Sequence, residues 1–115
     1  MKTPDKWIIL KMQYPNKKVI YKLHATWVGS YIHGDAWSLN SGIMQVKDSD
    51  PYWDFTGYSG SIYRCHKEMQ GCSAYTSGIL DEILQAAAVG GIEASVLDIS
   101  EFLIEFDSKG VNYEQ

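Results

Sequence analysis

The sequence predicts an α+β domain in which an antiparallel sheet of about five strands is covered on one face by one main helix. Three patterns support this: apolar and polar residues alternate over 18–28, short β-rich segments separated by turn residues fill 36–66, and residues 76–89 show helical periodicity. No internal repeat or linker divides the chain. Residues 1–115 are therefore expected to fold as a single domain.

The composition is that of an ordinary globular protein. Of the 115 residues, 45% are hydrophobic and 21% are charged, and the net charge is −4. The chain shows no secretory signal and no apolar run of the length that crosses a bilayer. We therefore expect a soluble, cytoplasmic protein that has no contact with membranes, with its two cysteines as free thiols.

The first two strands are predicted at residues 7–13 and 18–28, joined by a turn at Pro15 and Asn16. A connection this short joins antiparallel strands, so the pair is a hairpin. We expect one face of the second strand to lie on the core and the other, including His24, to point outward. The inward face holds Val19, Tyr21, Leu23, Ala25 and Trp27, and the outward face Lys18, Lys22, His24 and Thr26.

Further short strands are predicted in the middle of the chain. Residues 36–47 fit two short strands or one bulged strand around Gly42. Strands are also expected at 52–56 and 61–66, followed by a loop at 68–73. These segments supply the rest of the predicted sheet.

The main helix is predicted at residues 76–89. Thr76 or Ser77 is expected to cap its start, and Gly90 and Gly91 to end it. The apolar residues that recur at helical spacing are Ile79, Leu80, Ile83, Leu84, Ala87 and Ala88.

The segment after this helix fits two interpretations. As a helix, it places Ile92, Val96, Ile99, Leu103 and Phe106 on one stripe. As a strand, it alternates Phe102, Ile104 and Phe106 with polar residues and turns at 107–110. Its aromatic and β-branched content favours the terminal hairpin. The alternative is two C-terminal helices on a four-stranded sheet.

Cys65, His66 and Cys72 are the residue types that bind zinc, but their spacing does not fit a zinc site. Structural sites usually pair cysteines two to four residues apart, and adjacent residues of a strand point to opposite faces. We expect no metal and no cofactor, with Cys65 in the core and His66 near solvent. A Cys/His nucleophile pair is disfavoured on the same geometric ground.

His33 and Asp35 are the candidates for acid–base catalysis. An imidazole near a carboxylate in a loop is a common catalytic unit, and Gly34 separates the two residues. Turn chemistry explains the same pattern, because aspartate bonds to nearby backbone at turns. A small enzyme using His33 and Asp35, or the Cys/His residues, is therefore the alternative to a binding protein.

Aromatic residues are the feature most suggestive of a contact surface. The chain has four tryptophans and eight tyrosines, more than a small core needs. Those between residues 31 and 63 are interspersed with glycines, serines and aspartates, as at many interfaces. They predict a non-enzymatic domain that binds a protein or a small molecule. The candidate interface residues are Tyr31, Trp37, Tyr52, Trp53, Tyr58 and Tyr63.

The charges are divided between the two halves of the chain. Residues 1–47 carry seven lysines and two aspartates, a net charge of +5, whereas residues 48–115 carry three basic and twelve acidic residues, a net charge of −9. Arg64 is the only arginine, which argues against nucleic-acid binding. Opposite fields would allow two copies to meet, so a homodimer is expected.

Overall fold

Strands occupy most of the first 66 residues, and both helices follow them, which confirms the predicted α+β class. The computed structural model describes residues 1–29, 34–108 and 112–114. Within them, neither helix is long and apolar enough to cross a membrane. The elements are β1 (Lys6–Gln13), β2 (Val19–Trp27), β3 (Ala36–Leu39), β4 (Ile43–Ser49), β5 (Tyr52–Gly57), β6 (Ile62–His66), α1 (Ala74–Val89), β7 (Glu93–Leu97), α2 (Ile99–Ser108) and β8 (Asn112–Glu114).

The strands are divided between two sheets instead of the one sheet of about five strands that the sequence predicts. The first sheet has the order β3-β2-β1-β7, with every neighbouring pair antiparallel. The second contains β6, β5 and β4 as antiparallel neighbours, and β8 adds to β4 in parallel. The predicted hairpin of β1 and β2 is confirmed.

The division into two sheets occurs between β3 and β4. Asn40 ends the pairing of β3 with β2: its side-chain Oδ1 accepts the N–H of Leu23 at 2.8 Å, and its own N–H donates to the carbonyl of Leu23 at 3.1 Å. Gly42 then has φ 148°, a conformation that favours glycine. This turn carries the chain out of the first sheet, so residues 36–49 form two separate strands.

The first sheet is the central layer. One face packs on α1, and the other packs on the second sheet and α2, so β1 is apolar on both faces. On the α1 side the buried residues are Ile8, Leu10, Met12, Leu80 and Ala87. On the other side the buried residues include Trp7, Ile9, Tyr21, Leu23, Phe55, Phe102 and Phe106.

Helix α1 begins two residues earlier than predicted. Its N-cap is Ser73, not Thr76 or Ser77. The Ser73 hydroxyl accepts the N–H of Thr76 at 3.3 Å, and the Thr76 hydroxyl accepts the N–H of Ser73 at 3.0 Å. The threonine is thus the reciprocal partner in a capping box. Gly90 is the C-cap, as predicted.

The segment after α1 is part strand and part helix. Residues 93–97 form β7 beside β1, and residues 99–108 form α2. The prediction of a terminal hairpin is therefore wrong. The alternative prediction of a second C-terminal helix is correct only from Ile99 onward. Phe102 and Phe106 lie four residues apart on one helical face, with ring centroids 4.8 Å apart. Both contact Tyr21, and this packing favours the helix.

Candidate functional site

His24 is fully buried, so the prediction that it points outward is wrong. Its face of β2 lies beneath the start of α1, where Thr26 Oγ1 donates to Thr76 Oγ1 at 2.8 Å. The imidazole stacks on Trp37, with centroids 5.7 Å apart. Neither ring nitrogen has a hydrogen-bond partner among the described residues. Burial lowers the pKa of His24, which makes it a neutral core residue at pH 7.

Of the predicted acid–base pair, His33 lies outside the described residues. Asp35 Oδ1 accepts the N–H of Gly29 at 3.0 Å. The pKa of Asp35 is lowered first by the Ser73 side chain and secondly by the backbone N–H of Gly29. An open cleft of about 540 Å³ beside the carboxylate is lined by Gly34, Asp35, Ala74 and Tyr75.

Cys65 and His66 occupy opposite faces of β6. Cys65 is fully buried, and burial raises the pKa of its thiol. The His66 ring packs edge-on against Tyr52, with centroids 5.5 Å apart. Cys72 is also a free thiol, and burial raises its pKa. Among the described residues, no three His, Cys, Asp or Glu side chains are placed to share a metal ion, and neither thiol is activated.

The aromatic residues predicted to form a contact surface differ in exposure. Tyr58 is 54% exposed, Trp37 is 40% exposed and Tyr52 is half-buried. Trp53 and Tyr63 are core residues, and Tyr31 lies outside the described residues. Tyr52 and Tyr58 lie at opposite ends of β5, about 20 Å apart along the strand. Tyr52 and Tyr58 therefore do not form one continuous patch.

An ion pair on the outer face of the second sheet is a feature that the sequence analysis did not identify. Arg64 Nε and Nη2 donate to the two carboxylate oxygens of Asp54, each at 2.9 Å. The Ser49 hydroxyl donates to the same carboxylate at 2.9 Å. The guanidinium also lies 5.4 Å from the ring centroid of Tyr52. The only arginine thus has its charge matched within the fold, and only the register of β5 and β6 reveals the pair.

The outer edge of β7 is one surface that can receive a partner strand. β7 pairs with β1 on one side, and no described strand lies on the other. By contrast, the edge of β6 is partly covered by Lys2, whose N–H donates to Ile62 and whose carbonyl accepts from Arg64. β7 lacks the lysines and prolines that often protect edge strands, and Glu93 is its only charged residue.

The hydrogen bonds of Trp7 show which backbone groups of β7 are unpaired. On the side of β1 away from β2, the N–H of Trp7 donates to Met69, and its carbonyl accepts from Gly71. Because backbone groups alternate in direction, odd-numbered residues of β1 bond towards β7. The odd-numbered residues of β7 are their partners. The N–H and C=O groups of Ala94 and Val96 therefore point out of the sheet.

Apolar side chains accompany this edge. A cleft of about 690 Å³ lies between the C-terminal half of α1 and β7, with Leu84, Ala88 and Ala94 among its lining residues. Val96 on β7 is 46% exposed. The edge thus combines unpaired backbone groups with uncovered aliphatic surface.

Models of protein families, curated proteins and solved structures give no match to this chain. The fold and the site define an α+β protein with an open strand edge, and its role is inferred from that geometry.

Proposed function

We propose that this protein is a non-enzymatic protein-interaction domain that self-associates by strand addition at β7. The observation that carries the proposal is the pair of residues, Ala94 and Val96, whose backbone donors and acceptors face away from the sheet. Strand addition uses such groups for affinity and the flanking side chains for specificity. Val96 supplies an apolar contact at the same place.

The small-enzyme alternative has less support. Catalysis by a nucleophile needs a base within hydrogen-bond reach, and Cys65 and His66 lie on opposite faces of their strand. The Asp35 carboxylate accepts the backbone N–H of Gly29. None of these groups forms an acid–base pair within the described residues.

The proposed contact is placed at β7 instead of at the aromatic residues. Trp37 lies on β3, which is the opposite edge of the first sheet. Tyr52 and Tyr58 belong to the second sheet and its turn. A ligand that uses these aromatic residues remains a separate hypothesis, for which their exposure is the only support.

We also propose that the protein works in the cytoplasm. Cys65 and Cys72 are both free thiols. Unpaired cysteines are typical of reducing compartments.

Sedimentation equilibrium over a wide concentration range tests self-association. We expect the mass to rise from the 13.0 kDa of one chain towards twice that value. Val96→Lys, which places a charge on the edge, should shift the transition to at least tenfold higher concentration. Met44→Lys is the matched control, because Met44 is 44% exposed but lies on β4. A mass of 13.0 kDa at every concentration would contradict the proposal.

A further inference from the structure

We infer that the added strand is β7 of a second copy, antiparallel, with a two-fold axis passing beside Ser95. The inference rests on the proposed function and specifies its partner and register. With the axis at Ser95, Ala94 of one copy lies opposite Val96 of the other. Each of these pairs can form two hydrogen bonds from groups that point out of the sheet, which makes four across the interface.

Other symmetric registers need backbone groups that are already used. Moving the axis towards the start of β7 brings in Ile92, whose N–H donates to Ala87 at 2.9 Å. Moving it towards the end brings in Asp98, whose carbonyl accepts from Phe102 at 3.0 Å and whose N–H donates to Glu101. Only the register at Ser95 uses groups of Ala94 and Val96 alone.

The side chains are compatible with this register. Ser95 lies opposite Ser95 of the second copy at the axis. Side chains approach closely in a pair that is not hydrogen-bonded, and serine is small enough for this approach. On the α1 side, Ala94 covers the exposed Val96 of the second copy. The two copies of Glu93 are offset by four residues, about 13 Å along the strands. At about 0.1 M salt this exceeds the screening length of about 10 Å, so their repulsion is small.

The resulting assembly is a closed dimer. Its two first sheets join into one continuous sheet of eight strands, with β7 of each copy at the centre. The pairing leaves no β7 edge open to further copies, so association through β7 stops at two chains.

Cysteine cross-linking tests the register. In a Cys72→Ser background, Ser95→Cys should form a covalent dimer when oxidised glutathione is added. The two copies of residue 95 are directly opposite and not hydrogen-bonded to each other, and the Cα atoms of such a pair are about 4.5 Å apart. Cys65 is fully buried and should not react. Val96→Cys is the matched control. Its two copies are offset by two residues along the strands, which adds about 7 Å to the spacing between the strands, so the two Cα atoms lie beyond the reach of a disulfide.

The outcomes separate this inference from the proposed function. A dimer by sedimentation in which Ser95→Cys stays uncross-linked, or in which Val96→Cys cross-links faster, would overturn the register and leave self-association intact. A monomer at all concentrations would overturn both.

A second variant covers the case in which Ser95→Cys does not fold. Ala94→Pro removes an N–H that points out of the sheet and not towards β1, and proline is tolerated at such edge positions. It should weaken the dimer at least tenfold and leave the far-ultraviolet circular dichroism of the monomer unchanged. Undiminished dimerisation of this variant would also overturn the register.

Discussion

Thr26 and Thr76 are joined by a hydrogen bond of 2.8 Å between their hydroxyl groups, fifty residues apart in the chain. Both side chains are fully buried. The bond fixes the first turn of α1 over β2, and the same placement covers His24. One polar contact thus connects the helix cap, the central sheet and the buried histidine.

Removing the Thr76 hydroxyl should destabilise the fold. Thr76→Val keeps the shape of the side chain but leaves the Thr26 hydroxyl unpaired and breaks the capping box, so a loss of about 1–3 kcal/mol in the free energy of unfolding is expected. Ser77→Ala is the control, because Ser77 is exposed on the same helical turn. Urea titration measures both. A Thr76→Val protein as stable as the control would show that the bond contributes little.

Burial of His24 should make stability depend on pH. Its pKa is lowered in the folded state, so the unfolded chain takes up a proton first as the pH falls below about 6.5. The free energy of unfolding should therefore be highest above about pH 6.5 and decrease on acidification, by at most about 1.4 kcal/mol per pH unit from this group.

His24→Phe isolates this contribution, since it keeps a ring beside Trp37 and removes the titrating nitrogens. Urea titrations at several pH values between 7.5 and 5 would compare the two proteins. As the pH falls, the free energy of unfolding of the wild-type protein should decrease relative to that of His24→Phe. A constant difference would mean that His24 takes up its proton as readily in the folded chain.

The alternation of β2 predicts unequal effects at neighbouring positions. Leu23 is fully buried between the sheets, so Leu23→Ala should lower the free energy of unfolding by about 2–5 kcal/mol. Lys22 is only partly covered, and Lys22→Ala should cost less than about 1 kcal/mol. Similar losses at both positions in urea titrations would contradict the assignment of the faces.

Two glycines should respond in opposite ways to alanine. A Cβ at Gly42 would lie 2.5 Å from the ring of Tyr58, at a positive φ of 148°, so Gly42→Ala should lower the melting temperature. Gly78 lies exposed in α1 with no atom near the added carbon, and Gly78→Ala should stabilise the helix by about 0.5–1 kcal/mol. Thermal unfolding of both variants tests the pair. A stabilised Gly42→Ala would contradict the turn geometry.

Local patterns were sufficient to predict the β1–β2 hairpin, the β-structure around Gly42 as two short strands or one bulged strand, and the end of α1 at Gly90. In each case the information lies within a few residues: a two-residue alternation, a turn, or a glycine after a helical repeat. The candidate site was not predictable in this way. Ala94 and Val96 are small aliphatic residues, and nothing in their own chemistry distinguishes an edge strand from a covered one.

The outcome at His24 and at residues 93–108 depended on contacts between distant parts of the chain. His24 has the sequence context of an outward residue and is buried because α1 lies across its face and Trp37 stacks on its ring. The periodicity after Gly91 fits a strand and a helix equally well. Pairing with β1 favours a strand at residues 93–97, and packing of Phe102 against Tyr21 favours a helix at residues 99–108. Periodicity shows which faces are apolar, whereas the energy of burying them depends on the partner that covers them.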